Sequence, residues 1–143
     1  MTPYTFLTKL VEYLKLYTVG GQLIFGDNVF LIPQFPAQQV TRLANPTCFV
    51  IDNGAVPFAN NPNFLEQNFS VGYYYEDTDR TGDQVIRSAL QLDSSLAASL
   101  RDLKSLNSEK ILLMNAPKQP FLAARYNLPN ITRYWTYSVV VST

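Results

Sequence analysis

The chain has 143 residues with no histidine and a single cysteine, and its Lys+Arg and Asp+Glu totals are both 11, giving zero formal net charge. Histidine is the usual general base near neutral pH and the commonest metal ligand, so its absence excludes most familiar catalytic and zinc arrangements, while the neutral total disfavours nucleic-acid binding. The length is typical of one domain, and we expect residues 1–143 to form one.

The chain opens with an amphipathic pattern from Pro3 to Tyr17. Thr2 can cap the start of a helix, Pro3 suits its first position, and the pair Gly20-Gly21 supplies a stop. The apolar residues at helical spacing are Phe6, Leu10, Leu14 and Tyr17, with Leu7 and Val11 widening the stripe. The pattern predicts a helix with one buried face.

Two short apolar runs follow, Leu23 to Phe25 and Val29 to Ile32. Gly26-Asp27-Asn28 lies between them and readily adopts the positive backbone angles of a tight turn, so the pattern predicts a small β-hairpin. Pro33-Gln34-Phe35-Pro36 then breaks the strand pattern and indicates a rigid, extended connector rather than a proline-rich docking motif.

The run Cys48 to Ile51 is typical of a core strand, and Asp52-Asn53-Gly54 after it predicts a turn. A lone Cys48 among apolar neighbours is expected to be a buried thiol, because no histidine could activate it. Residues Ala55 to Asn63 are predicted to form a polar, turn-rich loop that carries Phe58. That side chain either folds back onto its own domain or contacts a partner, and the sequence leaves both interpretations open.

From Gln67 to Tyr75 the residues alternate in character, and Phe69, Val71, Tyr73 and Tyr75 share one face of a predicted strand. Acidic residues then gather before a leucine-rich helical pattern that runs from Asp83 to about Leu106. The acids complement the positive end of a helix and lack the ligand spacing of a calcium loop. Asp93-Ser94-Ser95 allows either one bent helix or two consecutive helices.

The last third contains a short apolar run from Ile111 to Met114 and a predicted surface loop from Asn115 to Asn130. The alternating segment from Ile131 to Val141 predicts a final strand. Together these elements indicate an α+β fold, with a mixed, mainly antiparallel sheet flanked by an N-terminal helix and a long central helix or helix pair.

No catalytic residue, metal site or cofactor is predicted. Glu66, Glu76 and Asp77 are the carboxylates that acid–base chemistry would need, but the helix start explains the acidic cluster better, and no glycine-rich phosphate cradle is present. No apolar run approaches the roughly 18 residues that span a bilayer. The first residues do not resemble a signal peptide, so we expect synthesis in a cytoplasm.

The order of these elements resembles that of the tail terminator and tail-completion proteins of long-tailed bacteriophages. The resemblance depends most on two segments: Asn45-Pro46-Thr47-Cys48-Phe49-Val50-Ile51-Asp52-Asn53-Gly54 and Phe69-Ser70-Val71-Gly72-Tyr73-Tyr74-Tyr75. It implies a ring, expected to be a hexamer, that caps the tail tube. The tail tube protein and the head-proximal connector would be its partners, DNA would only pass through the lumen, and the location would be the virion tail or neck.

Assembly by surface contact agrees with a composition that is 15% charged and 47% hydrophobic. Exposed aromatic and arginine side chains often dominate interface energy, so the candidate interface residues are Phe58, Arg80, Phe121 and Arg125. The alternatives are a head-completion or connector protein of the neck, a small α+β binding module outside viruses, and a carboxylate-dependent enzyme. Stoichiometry distinguishes the tail terminator from the neck protein, since six copies favour the tail terminator and twelve a head-proximal adaptor.

Overall fold

The computed structural model describes residues 2–33, 46–76, 82–101, 111–115 and 130–142. The elements in chain order are α1 (Pro3–Leu16), β1 (Thr18–Val19), β2 (Gln22–Leu23), β3 (Val29–Ile32), β4 (Thr47–Phe58), β5 (Asn61–Glu76), α2 (Gly82–Arg101), β6 (Ile111–Asn115) and β7 (Asn130–Ser142). The predicted α+β class is confirmed, with an N-terminal helix, a central helix and a mixed sheet in which most strands are antiparallel.

α1 begins where the sequence predicts. The hydroxyl of Thr2 accepts a hydrogen bond from the backbone N–H of Thr5 at 3.1 Å, which satisfies one of the donors that a helix start leaves open. The helix ends at Leu16 because Tyr17 is already extended. Its apolar stripe is buried at Phe6, Leu7, Leu10, Val11 and Leu14. The amphipathic pattern therefore identifies both the helix and the face that it buries.

The main sheet has the strand order β3-β4-β5-β7-β6, and β5 lies at its centre. β5 pairs antiparallel with β4 on one side and with β7 on the other, where the register runs from Phe64 opposite Ser142 to Glu76 opposite Asn130. β3 is the exception to the antiparallel rule, since it runs parallel to β4 with Val29 opposite Cys48.

Both helices contribute to one core on the same face of this sheet. Phe69 of β5 meets Phe6 of α1 edge to face, with ring centroids 5.3 Å apart, and stacks on Tyr137 of β7 at 5.6 Å. α2 contributes Leu96 and Leu100 to the same cluster. Because alternate residues of a strand point to opposite faces, this core uses the odd-numbered residues of β5 and β7.

A second, smaller cluster lies on the opposite face of the sheet. Phe49 of β4 and Tyr74 of β5 are both buried there, and Ile32 of β3 packs against them. Successive residues of β5 point to opposite faces of the sheet, so Phe69 and Tyr73 face the helices and Tyr74 faces this cluster. The strands are therefore apolar on both faces around Tyr74, which explains the unbroken run Tyr73-Tyr74-Tyr75 in the sequence.

The predicted hairpin between residues 23–25 and 29–32 is wrong. The turn exists, because the N–H of Asn28 bonds to the carbonyl of Phe25 at 3.1 Å. After this turn, however, β3 pairs in parallel with β4 and does not fold back on residues 23–25. The small hairpin instead joins β1 and β2 around Gly20 and Gly21, whose φ values of 60° and 79° suit the tight turn. Tertiary pairing with the apolar run of β4 overrides the local hairpin signal.

The predicted turn at residues 52–54 and loop at residues 55–63 are also wrong. β4 continues through Gly54, which has φ of 94°, as an irregularity in its pairing with β5 between Asp52 and Ala55. The reversal comes later, at Ala59 and Asn60. The turn-forming residues therefore lie in a local bulge, and the strand continues beyond them.

The strands predicted at Gln67–Tyr75 and Ile131–Val141 are confirmed, and both extend beyond the predicted bounds. α2 is one continuous helix across Asp93-Ser94-Ser95. Several other predictions fall outside the described residues. They concern the end of α2 near Leu106, most of the connector after Pro33, the acidic residues Asp77 and Asp79, and the loop between Asn115 and Asn130.

Gly72 sets how closely β5 and β7 can approach. The Cβ of an alanine at this position would overlap the carbonyl oxygen of Arg133 and lie 2.5 Å from Cβ of Tyr134. These atoms belong to the backbone or its first side-chain carbon, so no rotamer change can move them away. Glycine is therefore the residue that allows the central pairing of the sheet at this point.

We expect Gly72→Ala to lower the free energy of unfolding by about 3 kcal/mol, the upper end of the usual range for overpacking. Gly20→Ala is the matched control, because an added Cβ there meets no atom within 4 Å and costs only the strain of its positive φ, about 1 kcal/mol. Urea denaturation of both variants measures the difference. Equal losses of unfolding free energy in the two variants would show that the close approach of β5 and β7 does not require glycine at position 72.

Candidate assembly interface

One exposed part of the sheet is the end of the β4–β5 hairpin, residues 52–66, which we call the outer hairpin. Every residue from 52 to 60 is exposed, whereas residues 47–51 of the same strand are buried. Ala59 and Asn60 form the two-residue turn with φ values of 51° and 59°. Two consecutive positive φ values match the twist of the flanking strands and fix the hairpin end in one conformation.

The outer hairpin leaves one strand edge open. β3 pairs with β4 only from Cys48 to Ile51, and among the described residues the rest of β4 pairs with β5 alone. An open edge offers backbone donors and acceptors to another chain. Pro57 lies in this stretch and removes one of the donors, which limits indefinite edge-to-edge stacking.

Two large apolar side chains stand on this edge strand. Val56 is 52% exposed and Phe58 is 37% exposed, and Phe64 on the facing strand is half-buried. The sequence predicts Phe58 as an interface residue on a loop, whereas the structure places it next to the turn of a hairpin. Phe58 retains enough exposed surface to contact a partner.

Hydrogen bonds from one buried amide hold the base of the outer hairpin. The side chain of Gln67 is 1% exposed, and its amide nitrogen lies 2.8 Å from Oδ1 of Asp52 and 3.2 Å from the carbonyl oxygen of Gly54. Oδ1 of Asp52 also accepts the N–H of Gly54 at 2.8 Å. A buried amide must have partners, so Gln67 fixes the bulge of β4 in this shape.

A second polar chain crosses three strands on the opposite face. Nδ2 of Asn53 donates to Oγ of Ser70 at 2.8 Å, and Oγ of Ser70 lies 3.1 Å from the hydroxyl of Thr136. The bulge is therefore bonded on both faces of the sheet. The outer hairpin is consequently an extension of the sheet with a fixed base rather than a hinged loop.

Further along β5, an ion pair connects α2 to the sheet. The hydroxyl of Tyr73 donates to Oδ1 of Asp93 at 2.6 Å, with the carbonyl oxygen of Ala89 at 3.1 Å, and Arg133 of β7 forms a salt bridge with Oδ2 of Asp93. The Asp93 carboxylate is thus directed at the sheet and does not compete with the helix backbone. This explains why α2 continues through Asp93-Ser94-Ser95.

Burial raises the pKa of two titratable groups in the described part of the chain. Cys48 is fully buried, as predicted, and burial raises the pKa of its thiol. Burial also raises the pKa of Tyr137 to about 12. Among the described residues, no group of three His, Cys, Asp or Glu side chains could hold a metal ion. Over the same ranges, no helix has the length and apolar character required to cross a membrane.

Of the four predicted interface residues, the structure describes Phe58 alone, and Arg80, Phe121 and Arg125 lie outside the described residues. Sequence reasoning missed the supporting role of Gln67 and the pairing of Asp93 with Arg133. Gln67 shares the two-residue spacing of Phe69 and Val71, which is the available signal that it faces the core.

Comparison with known proteins gives no assignment, since no protein-family model and no curated protein matches this sequence.

We expect Gln67→Leu to lower the free energy of unfolding by about 2 kcal/mol, because the hydrogen bonds of its amide to the Asp52 carboxylate and the Gly54 carbonyl are lost. Hydrogen exchange should also accelerate at the backbone amides of residues 55–65, since the bulge loses its support. Gln22→Leu, at an exposed position of β2, is the matched control. Unchanged exchange in the outer hairpin would contradict the supporting role of Gln67.

Native protein should react with an aromatic disulfide reagent at pH 8 only as fast as it opens, because the Cys48 thiol is buried and its raised pKa keeps it protonated. We expect labelling to be complete within the mixing time in denaturant and at least about a hundredfold slower without it. Prompt labelling of the folded chain would show that the β4 core is accessible.

Proposed function

We propose that this protein is a structural subunit of a long-tailed bacteriophage that assembles into a ring at the end of the tail tube. The tail tube protein and the head-proximal connector are its partners, and DNA passes through the lumen. The protein acts by matching surfaces and contains no catalytic step in this proposal. It is assembled in the host cytoplasm and remains in the virion.

The observation that carries the proposal is the outer hairpin. It combines an open strand edge with the exposed side chains of Val56 and Phe58, on a base fixed by the bonds of Gln67. Pro57 and the bulge protect part of this edge, but Val56 and Phe58 are exposed on it, where monomeric proteins usually place charged residues or a covering segment. A ring subunit covers it with a neighbouring copy, because a cyclic assembly leaves no contact unfilled.

The low share of charged residues supports the same proposal. With 15% charged residues and zero formal net charge, the chain has little electrostatic repulsion to oppose self-association. The order of sequence elements, which resembles that of tail terminator and tail-completion proteins, supplies the particular place in the virion. A head-completion or connector protein of the neck remains the alternative, and copy number separates the two.

Native mass spectrometry of the purified protein tests the proposal. We expect a ring of six subunits, while twelve would favour the head-proximal adaptor. A monomer at high micromolar concentration would contradict both. In assembled particles, an antibody against the protein should label the junction of head and tail, and labelling elsewhere would remove the tail-terminator assignment.

Phe58→Asp should weaken ring assembly at least about tenfold in the dissociation constant between subunits, because a carboxylate would be buried at the contact without a partner. Phe30→Asp is the matched control, since Phe30 lies on β3 and is also 37% exposed. Both variants should remain folded by circular dichroism. If both variants weaken ring assembly equally, or if neither does, Phe58 is not an interface residue.

A further inference from the structure

Asn53 and Gly54 form the one Asn-Gly pair in the sequence. An asparagine followed by glycine is prone to spontaneous deamidation, because glycine has no Cβ to keep its backbone nitrogen away from the preceding side-chain amide. Both residues are exposed, and they lie in the bulge of β4 at the base of the outer hairpin. Water therefore reaches the pair in the folded chain.

The structure leaves open space around Gly54. Its φ is 94°, in the region that favours glycine, and a Cβ built at this position meets no atom within 4 Å. Deamidation proceeds through a succinimide, a ring that joins the asparagine side chain to the next backbone nitrogen. Closure of this ring at Asn53 and Gly54 meets no packed neighbour on that side of the backbone.

Hydrogen bonds are directed at both of the nitrogen atoms that react. The backbone N–H of Gly54, whose nitrogen is the nucleophile, donates to Oδ1 of Asp52 at 2.8 Å. Nδ2 of Asn53, the nitrogen that leaves, donates to Oγ of Ser70 at 2.8 Å. The first distance is within the range at which a general base removes a proton. A carboxylate is thus in place to activate the nucleophile.

The fold holds this carboxylate in position. Nε2 of Gln67 donates to the same Oδ1 of Asp52 at 2.8 Å, and the Gln67 side chain is only 1% exposed. In an unfolded chain the Asp52 side chain samples several rotamers, so its contact with Gly54 would form only part of the time. Folding therefore keeps the base and the nucleophile together.

We propose that Asn53 is a site at which the chain deamidates itself, with Asp52 as the general base. The nitrogen of Gly54 bonds to Cγ of Asn53 while its proton passes to Asp52. The Cγ–Nδ2 bond then breaks, and the same proton passes from Asp52 to Nδ2, which leaves as ammonia. Water adds to one of the two carbonyl carbons of the succinimide and opens the ring to aspartate or isoaspartate.

Either product changes the base of the outer hairpin. Aspartate at position 53 places a second carboxylate beside Asp52, and isoaspartate also adds one carbon to the backbone of β4 within the bulge. The reaction requires water alone, and the inference does not depend on the proposed ring.

Incubation of the purified folded protein in isotopically labelled water, followed by peptide mapping with mass spectrometry, tests the site. We expect Asn53 to become aspartate and isoaspartate, with solvent oxygen incorporated, before any other asparagine reacts. If another asparagine reacts first, or if Asn53 stays an amide while the others react, the site assignment is overturned.

Asp52→Asn tests the base, because the new side chain keeps an acceptor oxygen and loses only the charge. We expect its initial rate of Asn53 deamidation in the folded chain to fall at least about tenfold. Asp27→Asn, at another exposed aspartate, is the matched control and should leave the rate unchanged. In urea, Asp52→Asn should change the rate at most about twofold, since the contact requires the fold. An unchanged or higher rate in folded Asp52→Asn, or an equal loss in urea, would overturn the role of Asp52.

Discussion

The pairing of β5 on both of its edges is the constraint on which the rest of the structure depends. This strand runs from Asn61 to Glu76 and is hydrogen-bonded to β4 on one side and β7 on the other. Its odd-numbered residues support both helices, while its even-numbered residues form the opposite face. The close approach at Gly72 allows β7 to pair with β5 at this point, and the paired strands give α1 and α2 a surface to pack on.

The same strand connects the core to the outer hairpin. Gln67 lies at the boundary, because residues 69–74 of β5 are buried whereas residues 61–66 are half-buried or exposed. The buried amide of Gln67 bonds to the polar groups of the bulge, so the exposed end of the hairpin is attached to a residue that the core holds in place. In the proposed ring, such support would reduce the ordering required when the subunits bind.

Regular periodicity made most of the fold predictable from the sequence. The stripe of α1 and the alternation of β5 and β7 identified these elements because each side-chain pattern repeats with the period of its structure. The errors fell on Gly26-Asp27-Asn28 and Asp52-Asn53-Gly54, where turn-forming residues were interpreted without their tertiary partners. Whether such residues end a strand or only bulge it depends on which distant segment pairs beside them.

The position of β7 in the chain has a consequence for biosynthesis. β5 ends at Glu76, and the strand that closes its second edge begins only at Asn130. During translation, the β4–β5 hairpin can therefore form while one side of its longer strand still awaits a partner. Before α2 and β7 are in place, that intermediate exposes Tyr73, which contacts Asp93 and Trp135 in the folded chain, next to unpaired backbone, and this makes it prone to aggregation. Ribosome-associated chaperones would protect the chain most during this interval.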